Sequence, residues 1–282
     1  MLPPVGDTVR YDLDGAVCTL TLDRPERLNT IVPELIADFE AALDRAEADP
    51  AVHAIRLRGA GRAFCAGYDI GWGAEVMRSS EGGEPWDPMA DQRMMGRYVA
   101  AYMRLWRSPK PVIAQVHGYC VGGGTDFALC SDLIVCARDC RIGYPPARVW
   151  GSPTTAMWVY RLGLERAKRL LLTGDPLDGE TAVAWGLASE CHDEAGLDDA
   201  GMALAARVAL LPSNQLQMMK LLVNQAYEQM GLHTTQLIGT LLDGAARHTP
   251  EGAAFSRAAL ADVRSAVAGR DAPFGDYGQE AR

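Results

Sequence analysis

Two glycine-bearing segments each stand where a strand should run out. They are Gly61-Arg62-Ala63-Phe64-Cys65-Ala66-Gly67-Tyr68-Asp69-Ile70 and His117-Gly118-Tyr119-Cys120-Val121-Gly122-Gly123-Gly124-Thr125-Asp126. Glycines at a strand-to-helix turn leave backbone N–H groups free to point at a ligand. Two such turns side by side place two donors around one oxygen, which is an oxyanion hole for charge developing on a carbonyl. The structural alternative is that these glycines only make tight turns.

The rest of the chain alternates strand and helix patterns, which argues α/β. Val9–Leu13 and Ala16–Leu22 flank Asp14-Gly15, a hairpin signal, with Cys18, Leu20 and Leu22 on one face of the second strand. Leu35, Ile36, Phe39, Leu43 and Ala46 make a helical stripe after Pro33, which suits a first turn. Residues 52–57, 111–116 and 133–137 read as buried strands, with a short helix over 124–131 between the last two. Residues 73–90 are polar and rich in Gly, Ser and Pro, so a mobile loop is expected around 79–85. It is placed to act as a lid, or is surface decoration. A helix is expected over 91–106. From about Ala200 the pattern is purely helical, with stripes through Leu216, Met219, Leu222, Val223 and Tyr227 and, in one last helix, Ala253, Phe255, Ala259, Val263 and Val267. These tail helices carry apolar surface that needs a partner.

Composition narrows the function classes. A net charge of −9 over 282 residues offers no basic field for nucleic acid. The seven cysteines, at 18, 65, 120, 130, 136, 140 and 191, include no CxxC pair and read as reduced, buried thiols. No HExxH or similar pairing appears, so no metal site is expected. No secretory signal and no membrane-spanning run is present, which makes a cytoplasmic protein the default. No GxGxxG after a first strand and no GxxxxGK[ST] supports a nucleotide cofactor.

The sequence resembles the enoyl-CoA hydratase/isomerase family, the crotonase superfamily, over nearly its whole length. The likeness is carried by Thr21-Leu22-Asp23-Arg24-Pro25-Glu26-Arg27-Leu28-Asn29, by the segment around Phe64–Asp69, by Gly122-Gly123-Gly124, and by Gly174 onward with Ala182 and Trp185-Gly186-Leu187-Ala188. The resemblance implies a spiral of ββα repeats over 1–199 that binds acyl-CoA. It also implies a helical region over 200–282 that assembles homotrimers, often paired into hexamers. The substrate is then an acyl-CoA thioester, coenzyme A being part of the substrate rather than a cofactor. Fatty-acid, amino-acid and sterol breakdown all fit.

By the same resemblance, the oxyanion donors are the backbone N–H groups of Tyr68 and Gly123. Family hydratases use two glutamates; their places here hold Asp126 and Pro146. Proline cannot transfer a proton, so Asp126 is left as the acid/base, its alternative being a helix-capping role. Glu75 and Asp87 are candidate replacement carboxylates, and Thr154 stands where other branches carry an acid. Arg24 and Arg27 are offered to the CoA phosphates, Ala66 to the adenine, and Tyr68, Asp69, Ile70 and Gly71 to the thioester end, Asp69 being more often structural. His117 reads as a structural histidine bonded to backbone, Trp150 as core and Arg148 as surface. Enoyl-CoA hydration leads; a double-bond isomerase and a non-catalytic acyl-CoA binder remain open.

Overall fold

The structure, a computed structural model, describes residues 6–80 and 86–277. Its strands are β1 (Val9–Asp14), β2 (Val17–Leu22), β3 (Ala54–Gly59), β4 (Ala63–Cys65), β5 (Val112–Val116), β6 (Tyr119–Val121), β7 (Leu133–Ala137), β8 (Arg141–Gly143) and β9 (Glu190–His192). Its helices are α1 (Pro33–Ala48), α2 (Ile70–Ser80), α3 (Pro88–Arg107), α4 (Gly124–Leu129), α5 (Met157–Leu171), α6 (Gly179–Ala184), α7 (Glu194–Ala209), α8 (Ser213–Gln229), α9 (Leu232–Arg247), α10 (Pro250–Ala261) and α11 (Val263–Asp271). Each turn of the chain lays one strand in a six-stranded sheet ordered β1-β2-β3-β5-β7-β9, one in a three-stranded sheet ordered β4-β6-β8, and then enters a helix. This is the α/β spiral of ββα repeats. All pairings are parallel except the β1–β2 hairpin, whose turn needs the positive φ of Gly15.

Two-sided cover explains one departure from expectation. Strand β2 does not alternate: Thr19 and Thr21 are as buried as Cys18, Leu20 and Leu22. Helix α1 packs on one face of β2 and α7 on the other. The second face is polar but partnered. Arg56 Nε donates to Thr19 Oγ1 at 3.1 Å, and its Nη1 donates to Gln115 Oε1 at 3.1 Å and pairs with Asp198 at 3.0 Å. Because α7 runs through position 200 and also crosses β3, β5 and β7, the expected boundary at 199/200 falls inside one helix.

Two helical assignments change. The glycine- and serine-rich stretch after residue 70 is helical to Ser80, because Asp69 Oδ1 accepts from Trp72 N at 3.1 Å and starts the turn. The last five residues of the expected 79–85 loop lie outside the described residues. The final stripe belongs to two helices, since the extended Asp262 (φ −159°) ends α10 and caps α11 by accepting from Arg264 N. Among the described residues, no helix is long and apolar enough to cross a membrane.

The loop between β2 and α1 is clasped to the small sheet by one side chain. Leu28 and Asn29 adopt left-handed backbone (φ 53° and 55°), a conformation most side chains resist and asparagine tolerates. The fully buried Asn29 amide donates to Ala60 O at 2.9 Å, Ala63 O at 2.8 Å and Phe64 O at 3.2 Å, while its Oδ1 accepts from Arg24 N at 2.8 Å. Asn29→Ala is expected to lower the unfolding free energy by about 3 kcal/mol, read as a lower urea midpoint at unchanged slope. A loss below about 1 kcal/mol would show the clasp to be dispensable.

Candidate active site

Both glycine turns leave the C-terminal ends of neighbouring strands, β4 and β6, and meet. The clasped loop holds the first: Ala66 N donates to Leu28 O at 3.0 Å, Ile31 N to Gly67 O at 2.8 Å, and Asp69 N to Ile31 O at 3.0 Å. Because Gly67 and Asp69 both face Ile31, alternation turns the Tyr68 N–H the other way. There stands the second turn. A Cβ on Gly67, whose φ is +90°, would lie 2.9 Å from Val121 O and 3.4 Å from Gly123 N. Gly122 (φ +56°) donates to Gly143 O, and Gly123 precedes the first residue of α4. Among the described residues, neither Tyr68 N nor Gly123 N donates to a backbone carbonyl. Two unused donors on adjoining turns are the arrangement that stabilises an oxyanion.

Tyr68 does more than present its amide. Its ring covers Gly123, so that a Cβ there would lie 2.5 Å from Tyr68 Cε2. The ring is fixed edge-on to Tyr98, with centroids 5.4 Å apart, and its hydroxyl accepts from Tyr102 OH at 3.1 Å. Burial, and then the charge of Asp126, keeps the Tyr68 hydroxyl protonated.

Asp126 follows in the first turn of α4, 2% exposed. Its carboxylate does not cap the helix; it accepts from Thr155 Oγ1 at 2.5 Å. Burial raises its pKa from 3.8 to about 7, against the opposing hydrogen bond from Thr155 and with a further push from the charge of Asp243. A carboxyl poised near neutrality can both give and take a proton. Sequence reading singled out neither Thr155 nor Asp243: the one is a plain threonine beside Thr154, the other an acid with an arginine four residues on.

The remaining candidates separate cleanly. Pro146 lies at the site, its Cγ 3.4 Å from where a Cβ on Gly122 would be. Thr154 is buried with its hydroxyl unpartnered among the described residues. Glu75 is exposed, and Asp87 is an exposed cap of α3 that accepts from Met89 N and Ala90 N. Asp69 caps α2 and accepts from Thr30 Oγ1 at 3.3 Å, so its carboxylate is occupied. Arg24 is folded back onto Thr30, with Asp69 3.9 Å away, whereas Arg27 is exposed and has no ion partner among the described residues. Ala66, Tyr68, Asp69, Ile70 and Gly71 form a half-buried strip along the turn. His117 Nε2 meets Gly61 O at 2.8 Å, a structural contact.

Trp150 packs against Phe255, with centroids 5.0 Å apart, in a small cluster with Ile70, Ala74 and Ala259 beside the strip. Arg148 is not a surface residue. Its side chain is 1% exposed, pairs with Asp271 at 3.0 Å and with Asp276, and lies 3.8 Å over the Phe274 ring. The C-terminal segment thereby clamps the short 3-10 turn Pro145–Arg148 that carries Pro146.

Comparison with known proteins agrees with this fold. The sequence profile described as enoyl-CoA hydratase/isomerase matches residues 12–246. The 1,2-epoxyphenylacetyl-CoA isomerase of Escherichia coli K12 is 33% identical over 225 residues, covering 76% of this chain and 80% of its own. The (E)-benzylidenesuccinyl-CoA hydratase of Thauera aromatica is 31% identical over 206 residues, covering 71% and 76%. A crystal structure of enoyl-CoA hydratase from Mycobacterium smegmatis superposes with a TM-score of 0.92 at 45% identity, over 96% of each chain. With the spiral, the paired glycine turns and these matches in agreement, the chain belongs to the enoyl-CoA hydratase/isomerase family of enzymes.

Proposed function

We propose that the protein hydrates the 2,3 double bond of an enoyl-CoA thioester. The observation that carries this reading is the neutral-range Asp126 carboxyl beside two unused backbone donors. The thioester oxygen accepts from Tyr68 N–H and Gly123 N–H. As water adds at C3, the π electrons move onto that oxygen, Asp126 gives its proton to C2 as the enolate collapses, and the proton that water sheds restores the Asp126 carboxyl. Arg27, exposed at the mouth, meets the CoA phosphates. Ala66 and the Asp69–Gly71 strip line the approach.

A second reading is isomerisation, which needs only one proton carrier; Asp126 would have to serve, because the acid such enzymes usually carry falls at Pro146. A relative bearing an isomerase name adds to it. Assembly as a trimer or paired trimers is supported by the outward faces of α8 and α9, where Met218, Leu221, Leu222, Leu237 and Leu242 are exposed.

Loss of enoyl absorbance on adding trans-2-enoyl-CoA tests the reading. The wild type is expected to turn over, and Asp126→Asn to lose at least about 100-fold in kcat while still binding a saturated acyl-CoA. Binding without turnover by both proteins would sink it. Gly123→Ala, whose Cβ meets the Tyr68 ring, is expected to lose about 100-fold in kcat/KM, and the added change Tyr68→Ala to recover part of that. No recovery would show that the ring is not the obstacle.

Asp126→Asn also reports burial without substrate. A folded pKa raised above the unfolded one adds stability at low pH that is lost as pH rises through about 7. The variant is therefore expected to outlast the wild type in thermal melts at pH 8, by up to roughly 4 kcal/mol, and to lose that advantage at pH 4. Equal melts at both values would place Asp126 in a wetter setting.

A further inference from the structure

Helix α9 is built inside out. After Leu232, its buried residues are Gln236, Gly239, Thr240, Asp243 and Gly244, on one helical face, while Leu237, Ile238 and Leu242 are exposed. A buried polar face costs free energy unless it is partnered. The partners here lie in the segment 152–155. Gln236 Nε2 donates to Thr155 O at 3.0 Å, a Cβ on Gly239 would lie 2.9 Å from Pro153 O, and Asp243 Oδ1 accepts from Ser152 N at 3.2 Å. This is the segment whose Thr155 hydroxyl donates to Asp126.

Adding water across a double bond calls for a group that takes a proton from water as well as one that protonates carbon. Among the described residues, three acids are buried: Asp126, Asp243 and Asp271. Asp271 is held between Arg148 and Arg270. Asp243 instead stands one residue from Gly151, where a Cβ would lie 2.6 Å from Pro146 Cβ and 3.3 Å from the Tyr144 hydroxyl. On its far side Arg247 pairs with it and with Asp91. Burial raises the Asp243 pKa, opposed first by the Arg247 charge and then by the Ser152 N–H, and beyond these two contacts its oxygens keep lone pairs for a water. The charges of Asp126 and Asp243 are both felt at the Tyr68 and Tyr144 hydroxyls.

We propose that Asp243, supplied by the C-terminal helix α9, is the second catalytic carboxylate, standing across from Asp126 beside Pro146. The inference rests on the hydration reading. Asp243 takes a proton from water as the water oxygen bonds to C3. The C2–C3 π pair moves to the thioester oxygen, the enolate then takes the Asp126 proton at C2, and solvent returns the proton from Asp243 to Asp126. Water and enoyl-CoA are consumed, and 3-hydroxyacyl-CoA is the sole product.

The test compares the full-length wild type, Asp243→Asn and Asp91→Asn. Each protein is assayed for hydration of trans-2-butenoyl-CoA and for exchange of the α-protons of butyryl-CoA into deuterated water. Exchange needs the hole and Asp126 but no added water. Asp243→Asn is expected to lose at least about 100-fold in hydration and to keep exchange within about threefold. Asp91→Asn, which also removes one carboxylate from Arg247, is expected to keep both within about threefold. Hydration retained by Asp243→Asn, or an equal loss in both variants, overturns the role. If Asp243→Asn loses exchange as well, Asp243→Glu decides: restored hydration upholds the role and continued loss overturns it. A wild type that exchanges but does not hydrate overturns the hydration reading and the role of Asp243 together, whereas hydration insensitive to Asp243 removes only the latter.

Discussion

The whole arrangement depends on backbone pressed against backbone between two turns that are far apart in sequence. A Cβ on Gly118 would lie 2.1 Å from Arg62 O, and one on Gly124 would lie 2.2 Å from Cys65 O. Side chains at these points would wedge β4 from β6 and part the Tyr68 and Gly123 amides. The contact is held from behind by Asn29 and by the Ile31 bridge, which fix which way the Tyr68 peptide faces. In the proposed reaction, amides held in this way need no rearrangement when charge arrives.

Polarity is placed inside this molecule with unusual deliberateness in its tail. In α8 the buried residues are Lys220 and Asn224; Lys220 Nζ donates to Leu105 O at 2.7 Å and pairs with Asp132 at 2.7 Å, and Asn224 Nδ2 donates to Trp106 O at 2.7 Å. These groups satisfy carbonyls of the last turn of α3, which that helix cannot satisfy itself. In α9 the inward polar residues serve the segment around Thr155 instead. Both helices thus use polar contacts to grip the core and leave apolar residues outward.

What the sequence disclosed follows from what each residue's chemistry forces. Gly67 and Gly122 were legible because positive φ and close approach admit little else. Asp126 was legible by its position after the glycines, although its burial was not. Helix α2 was hidden because Gly73, Ser79 and Ser80 read as loop, and the local cap from Asp69 that starts it was passed over. Arg148 read as surface because its partners Asp271 and Asp276 stand more than a hundred positions away. Asp243 was invisible for a related reason: an acid followed four residues on by an arginine describes a solvated helix face, and only the fold reveals that this face points inward.

The Arg148 clamp also sets an order of events during synthesis. The turn that carries Pro145 and Pro146 is made more than a hundred residues before Asp271, Asp276 and the aromatic rings that surround Arg148. Until they arrive, closing that turn would bury a guanidinium held only by Asp175 and the Thr173 carbonyl, an under-compensated charge. The sheets are free to form earlier, but the wall of the site beside Gly122 waits for this later segment. A chain lacking residues from 271 onward would keep its sheets and lack the two counter-charges, Asp271 and Asp276, that hold this turn shut.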